Sequence, residues 1–161
     1  MIGIIDYGLG NVSAFENIYR TNLITSKRIK SVDDFKDVTH IILPGVGAFD
    51  KAMTLLKESN LIDNLNHLVL KEKLPILGIC VGMQIMANSS DEGELNGLGW
   101  IPGKVKKFDE SFFKNKTYVP HMGWNDVEIR SRNPIFKDLN TPKFYFLHSF
   151  YFEPESEKSI I

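Results

Sequence analysis

Leu77-Gly78-Ile79-Cys80-Val81-Gly82-Met83-Gln84 begins as the end of one element and finishes as the start of another. Pro75 to Ile79 reads as a short buried strand, and Met83, Ile85, Met86 and Ala87 have the spacing of a helix running through Ala87. The one cysteine of the chain stands at the changeover, in Gly-x-Cys-x-Gly. A strand that bends sharply into a helix with the nucleophile at the bend is an elbow, more often written with serine. The bend strains the nucleophile's backbone, and Gly78 and Gly82 remove side chains that would collide with the neighbouring strand and helix. A helix N-terminus beside the sulfur favours thiolate over thiol. The Val81 amide, one residue on, faces the place where an oxyanion develops. The same residues also suit a buried core cysteine packed among glycines, so the motif alone leaves both readings open.

Further short apolar runs flank this one. Ile2 to Asp6 reads as a strand ending in the glycine turn Tyr7-Gly8-Leu9-Gly10-Asn11. Asn11 or Ser13 caps a helix through Leu23, with Phe15, Ile18 and Tyr19 on one face. Lys27 to Ile29 is a weak second strand, and Val32 to Phe35 a short acidic turn or helix. His40-Ile41-Ile42-Leu43 forms a third strand, stopped by Pro44-Gly45-Val46-Gly47. Phe49 to Lys71 has helical spacing at Met53, Leu55, Leu56, Leu61, Ile62, Leu65 and Leu68, broken in two at Ser59-Asn60. Nearly all-apolar strands alternating with helices predict a three-layer α/β domain, its flavodoxin-like and mostly parallel sheet covered by helices on both faces. After Ser90, Gly93, Gly97, Gly99, Gly103, Pro120, Gly123 and Pro134 punctuate aromatic-rich, β-prone pieces. These predict antiparallel hairpins added to the sheet within the same domain, and Lys143 to Phe152 supplies one or two more strands.

Bulk properties narrow the function. A chain of 161 residues, 43% hydrophobic and 24% charged, suits one domain with a real core. Its 19 basic and 20 acidic residues cancel, so no basic stripe points to nucleic acid or a membrane surface. Apolar runs such as Leu74 to Ile79 are far shorter than a membrane span, and the N-terminus reads as a mature strand, not a signal peptide. A lone cysteine forms no internal disulfide, which fits a reducing cytoplasm. His40, His67, His121 and His148 are widely separated, so no metal centre is expected, and structural roles suit His40 and His67.

The neighbourhood of Cys80 is sharpened by Pro44-Gly45-Val46-Gly47-Ala48-Phe49, directly after another parallel strand. In a doubly wound sheet, loops at the carboxyl ends of strands share one face, which places this turn beside the elbow. By itself it is a plain strand-to-helix turn. It lacks the lysine and hydroxyl of a phosphate loop, which argues against a nucleotide site.

Together the two motifs resemble those of class I glutamine amidotransferases, and within that family the glutaminase subunits of imidazole glycerol phosphate synthases. The resemblance rests on Ile4 to Asn11, Leu43 to Phe49, Gly78 to Gln84, Gly97-Leu98-Gly99-Trp100, Val119 to Asn125 and Tyr145 to Phe150. Met83 favours this branch over relatives that carry histidine before the glutamine. The resemblance implies that Cys80 attacks the side-chain amide of L-glutamine and releases ammonia through a thioester. It implies an oxyanion hole from the Val46 and Val81 amides, and glutamine held by Gly45, Gly47, Gln84 and the backbone of His148, Ser149 and Phe150. No cofactor and no metal are implied. Ammonia would pass into a separate (β/α)8-barrel synthase subunit, the two chains forming a heterodimer. The loops Tyr7 to Asn11 and Pro120 to Asn125 would face that partner, making Asn11, Met122 and Trp124 interface candidates. Activity without the partner is expected to be low.

Some features depart from the pattern. Relatives complete a Cys-His-Glu triad with a C-terminal His-Pro-Glu motif, and residues 1–161 contain none. The chain is therefore expected to be a single amidotransferase domain, 1–161, lacking that segment and exposing an apolar sheet edge. Val81 stands where leucine is usual, Phe150 where tyrosine is usual, and the passage from Arg20 to Lys36 is short. These leave two alternatives open: a paralogue supplying ammonia to a nucleotide-sugar or surface-glycan amidotransferase, and a non-catalytic partner-binding module.

Overall fold

The computed structural model describes residues 1–112, 118–130, 133–137, 139 and 141–160. Strands β1 (Ile2–Ile5), β2 (Ser26–Ile29), β3 (His40–Gly45) and β4 (Ile76–Cys80) form one parallel sheet in the order β2-β1-β3-β4. Their apolar residues divide by the two-residue period of a strand. Ile2, Ile4, Ile42 and Ile79 pack with Val12, Phe15 and Tyr19 of helix α1 (Val12–Thr21). Ile5, Ile41, Leu43 and Ile76 belong to the larger cluster with Phe49, Ala52, Met53 and Leu56 of α2 (Phe49–Glu58) and Leu65 of α3 (Ile62–Asn66). Both faces of the sheet thus carry helices, as their unbroken hydrophobicity requires. β4 is the edge strand among the described residues, and Leu77 on it is 44% exposed.

Four details differ from the sequence reading. Ile18 is 57% exposed, because a helical step of ~100° per residue turns it away from Tyr19. Val12 takes the inward position, and Asn11 caps α1 through its side chain on the Ala14 amide. Strand β3 does not stop at Leu43 but continues through Pro44 to Gly45, paired with β4. Its ladder with β1 ends at Ile42, so the proline's missing N–H costs no bond on that side.

Third, the helix after Cys80 is a single turn, α4 (Val81–Gln84), not a run to Ala87. The Ile85 and Ala87 carbonyls accept from the Leu98 and Gly99 amides, and Asn88 accepts from Gly97, so a distant loop takes the bonds that would have extended the helix. Fourth, among the described residues the strands from Ser89 onward make small sheets of their own instead of widening the parallel one. β5 (Ser89–Ser90) pairs parallel with β6 (Gly103–Lys107), which pairs antiparallel with β9 (Phe150–Pro154). β7 (His121–Asp126) and β8 (Lys143–His148) form an antiparallel ribbon. Asn88 exchanges hydrogen bonds with Gly103 through its main chain and side chain, so β5 and β6 are tied to each other at their start. The chain bends at Ser149, passing from ribbon to three-stranded sheet within one residue. No helix among the described residues is long and apolar enough to cross a membrane.

Candidate active site

Cys80 and Gly45 are the last pair of the β3–β4 ladder, so the cysteine and the glycine turn emerge side by side at the carboxyl end of the sheet. Cys80 has φ 56° and ψ −123°, a conformation that L-residues rarely adopt. Such strain costs about 1–3 kcal/mol and persists only where the surroundings enforce it. Here they do. A Cβ on Gly82 would overlap the Leu43 carbonyl oxygen and stand 2.9 Å from the Pro44 carbonyl carbon. A Cβ on Gly78 would stand 2.6 Å from the Met83 Cα, and one on Gly45 would overlap the Gly82 amide. The flanking glycines therefore let the elbow close against strand and helix, and the sulfur is left exposed at its tip.

A cavity of about 360 Å³ opens there, lined by Val46, Gly47, Cys80, Val81, Gln84, Glu92, Pro120, Leu147, His148, Ser149 and Phe150. Eight of the nine residues expected to bind or process substrate meet in it; Gly45 does not line it but supports the elbow from behind. Gln84 is 7% exposed on the floor, and Val46 is 50% exposed on the rim. The bend at Ser149 is what swings His148, Ser149 and Phe150 onto the wall.

Glu92 is a cavity residue that the sequence reading missed. Its Oε2 accepts from the Phe49 amide at the start of α2, while Asp50 of that helix accepts from the Glu94 and Leu95 amides. This reciprocal clasp holds the acidic loop against the cavity and places a carboxylate in its lining. A run of acidic residues around a glycine, Asp91-Glu92-Gly93-Glu94, was the available signal.

The wall histidine is fully engaged. His148 Nδ1 lies 2.7 Å from the Phe150 carbonyl, which can only accept, so Nδ1 carries the proton. His148 Nε2 is then the acceptor for His121 Nδ1–H at 2.8 Å, and the amide of Asn125 donates to His121 Nε2 at 2.9 Å. Neither nitrogen of His148 is free to act as a base toward Cys80.

In the loop after β1, Tyr7 is 5% exposed and its hydroxyl donates to the Pro44 carbonyl at 2.8 Å, while Gly8 and Asn11 are exposed. Burial, together with negative charge at Cys80, pushes this hydroxyl up to about 12. Asn11 caps α1 and is exposed. On the ribbon, Met122 pairs with Leu147 and Trp124 with Tyr145, and these four side chains are 54–66% exposed on one face. Leu147 belongs both to that face and to the cavity lining.

Comparison with known proteins agrees with this geometry. The family model described as glutamine amidotransferase class-I matches residues 4–161. The imidazole glycerol phosphate synthase subunit HisH of Bdellovibrio bacteriovorus is 53% identical over 154 residues, covering 95% of this chain and 76% of that protein. The subunit of the same name from Leptospira interrogans is 47% identical over 162 residues, covering 100% and 79%. A solved crystal structure of a glutamine amidotransferase superposes with a TM-score of 0.72 at 18% identity, covering 97% of this chain and 75% of that one, which shows the shared fold. An elbow cysteine in a doubly wound sheet, matched over nearly every residue at this identity, means that the chain belongs to the class-I glutamine amidotransferase family, among the HisH subunits of imidazole glycerol phosphate synthase.

Proposed function

We propose that this domain hydrolyses L-glutamine to glutamate and ammonia and delivers the ammonia to a synthase subunit for imidazole glycerol phosphate formation, in the cytoplasm. The observation that carries the reading is Cys80, held in strained backbone beside Gly45 and opening into a cavity with Gln84, Glu92 and the His148–Phe150 bend.

The Cys80 sulfur attacks the side-chain amide carbon, and the carbonyl π electrons move onto oxygen. Val46 and Val81 amides receive that oxyanion. Its collapse breaks the C–N bond, the nitrogen leaves as ammonia after gaining a proton, and a thioester remains on Cys80. Water then attacks the thioester, giving glutamate and the free thiol. Proton transfer in these steps falls to a group other than His148, whose nitrogens are both committed. Gln84 and the backbone of Gly47, His148, Ser149 and Phe150 hold the substrate, and the Glu92 carboxylate attracts its ammonium group. The aromatic face of the ribbon, with Met122 and Trp124 at its centre, is the docking surface for the (β/α)8-barrel subunit, and Asn11 adds to it. No metal or cofactor takes part in these steps.

Covalent labelling tests the assignment. A diazoketone analogue of glutamine should alkylate Cys80 stoichiometrically, and excess glutamine should protect it. Labelling that is indifferent to glutamine, or that lands elsewhere, contradicts the reading.

A further inference from the structure

Beyond Gly45, the last residue of β3, the turn Val46-Gly47 has little of its own to hold it in place. Gly47 sits at φ 85° with open space around it, and Val46 is 50% exposed. Its entrance is held on one side by the β3–β4 ladder, which runs through Pro44 and Gly45, and on the other by the loop that follows β1. Gly10 lies so close that a Cβ there would stand 2.7 Å from the Pro44 Cβ, and the Tyr7 hydroxyl donates to the Pro44 carbonyl at 2.8 Å. The pyrrolidine ring already fixes φ of Pro44. A hydrogen bond on its carbonyl fixes the plane of the next peptide, and with it the direction in which the chain enters Gly45. This is a buried bond between residues 37 apart in sequence, reaching the base of the turn that lines the Cys80 cavity.

We propose that Tyr7 is a positioning residue for glutamine hydrolysis: its buried hydroxyl holds the Pro44 carbonyl and so aims the Val46 amide at the oxyanion formed on the Cys80 adduct. The proposal rests on the glutaminase reading and adds a residue outside the cavity to it. The phenol is also close enough to the site to sense it, since burial first and charge on Cys80 second both oppose its ionisation. An amide that is aimed at the oxyanion matters to the transition state far more than to bound glutamine. Loss of the aim therefore lowers kcat and leaves KM nearly unchanged.

The test is Tyr7→Phe, which keeps the ring and its packing and removes only the donor, in the full protein saturated with its synthase partner. Glutamine turnover, labelling by the diazoketone analogue and thermal melting are measured on variant and wild type. The expected result is a kcat lower by about tenfold, less than the hundredfold or more that loss of an oxyanion donor costs. KM should stay within about twofold, and the fold should be retained. A kcat equal to wild type overturns the proposal, as does a parallel rise in KM that accounts for the whole loss. A wild type that neither turns over glutamine nor takes the label overturns the glutaminase reading itself, whatever the variant does.

Discussion

His148 on the cavity wall and His121 on the facing strand of the ribbon share a hydrogen bond of 2.8 Å between ring nitrogens. The bond joins a residue that shapes the cavity to the strand that carries Met122 and Trp124. It also closes a chain with one direction, from the Asn125 amide through both rings to the Phe150 carbonyl. His121→Phe keeps the stack on Phe146, where the ring centroids are 4.9 Å apart, and breaks the chain. Such a bond is worth about 1 kcal/mol. We expect KM for glutamine to rise by about fivefold with little change in kcat, measured by steady-state kinetics with the partner present.

The strain at Cys80 predicts an inverse relation between stability and activity at that position. A residue at φ 56° loses its penalty when it becomes glycine and keeps it when it becomes alanine. Cys80→Gly should be more stable than Cys80→Ala by about 1 kcal/mol in urea unfolding, with both inactive on glutamine. Equal stabilities would show that the elbow is not strained.

Tyr7 sets part of the alkaline limit of the fold. Its folded-state value, near 12, lies above the ordinary 10.0, so the folded chain holds the phenolic proton more tightly than the unfolded chain does. The stability this contributes is intact below the unfolded value and is lost as pH rises toward the folded one. Unfolding midpoints followed from about pH 9 to about pH 11 should fall less steeply for Tyr7→Phe than for wild type.

Trp124 is 66% exposed and meets Tyr145 edge-on at 5.8 Å between ring centroids. Its truncation should cost the isolated domain under about 0.5 kcal/mol. A buried aromatic anchor in a complex costs far more, so Trp124→Ala should weaken partner binding by at least about tenfold in a titration.

Much of this was legible in the sequence because the forces involved are local. The β1, β3 and β4 runs are apolar on both faces, which already demands helices on both sides. The close approach of Gly82 to the neighbouring strand is implied by a cysteine elbow, and the structure contains it at the Leu43 carbonyl. What escaped depends on distant partners. The helix after Cys80 is cut short by Leu98 and Gly99, and the placement of Glu92 is set by α2, 43 residues earlier. Tyr7 turns inward for the Pro44 carbonyl, which no pattern around Tyr7 announces. The aromatic pieces after Ser90 read as strands, yet their grouping into separate sheets is decided by pairings such as Asn88 with Gly103. The sequence reading of His40 as the start of a strand holds, since β3 begins there.

The most direct test is Cys80→Ala, assayed with the synthase partner on glutamine and, separately, on ammonium salt. Glutamine-dependent product formation should fall by at least about a thousandfold, because the nucleophile is gone, while the ammonia-dependent rate stays within about twofold of wild type. Retained glutamine-dependent turnover would contradict hydrolysis at Cys80.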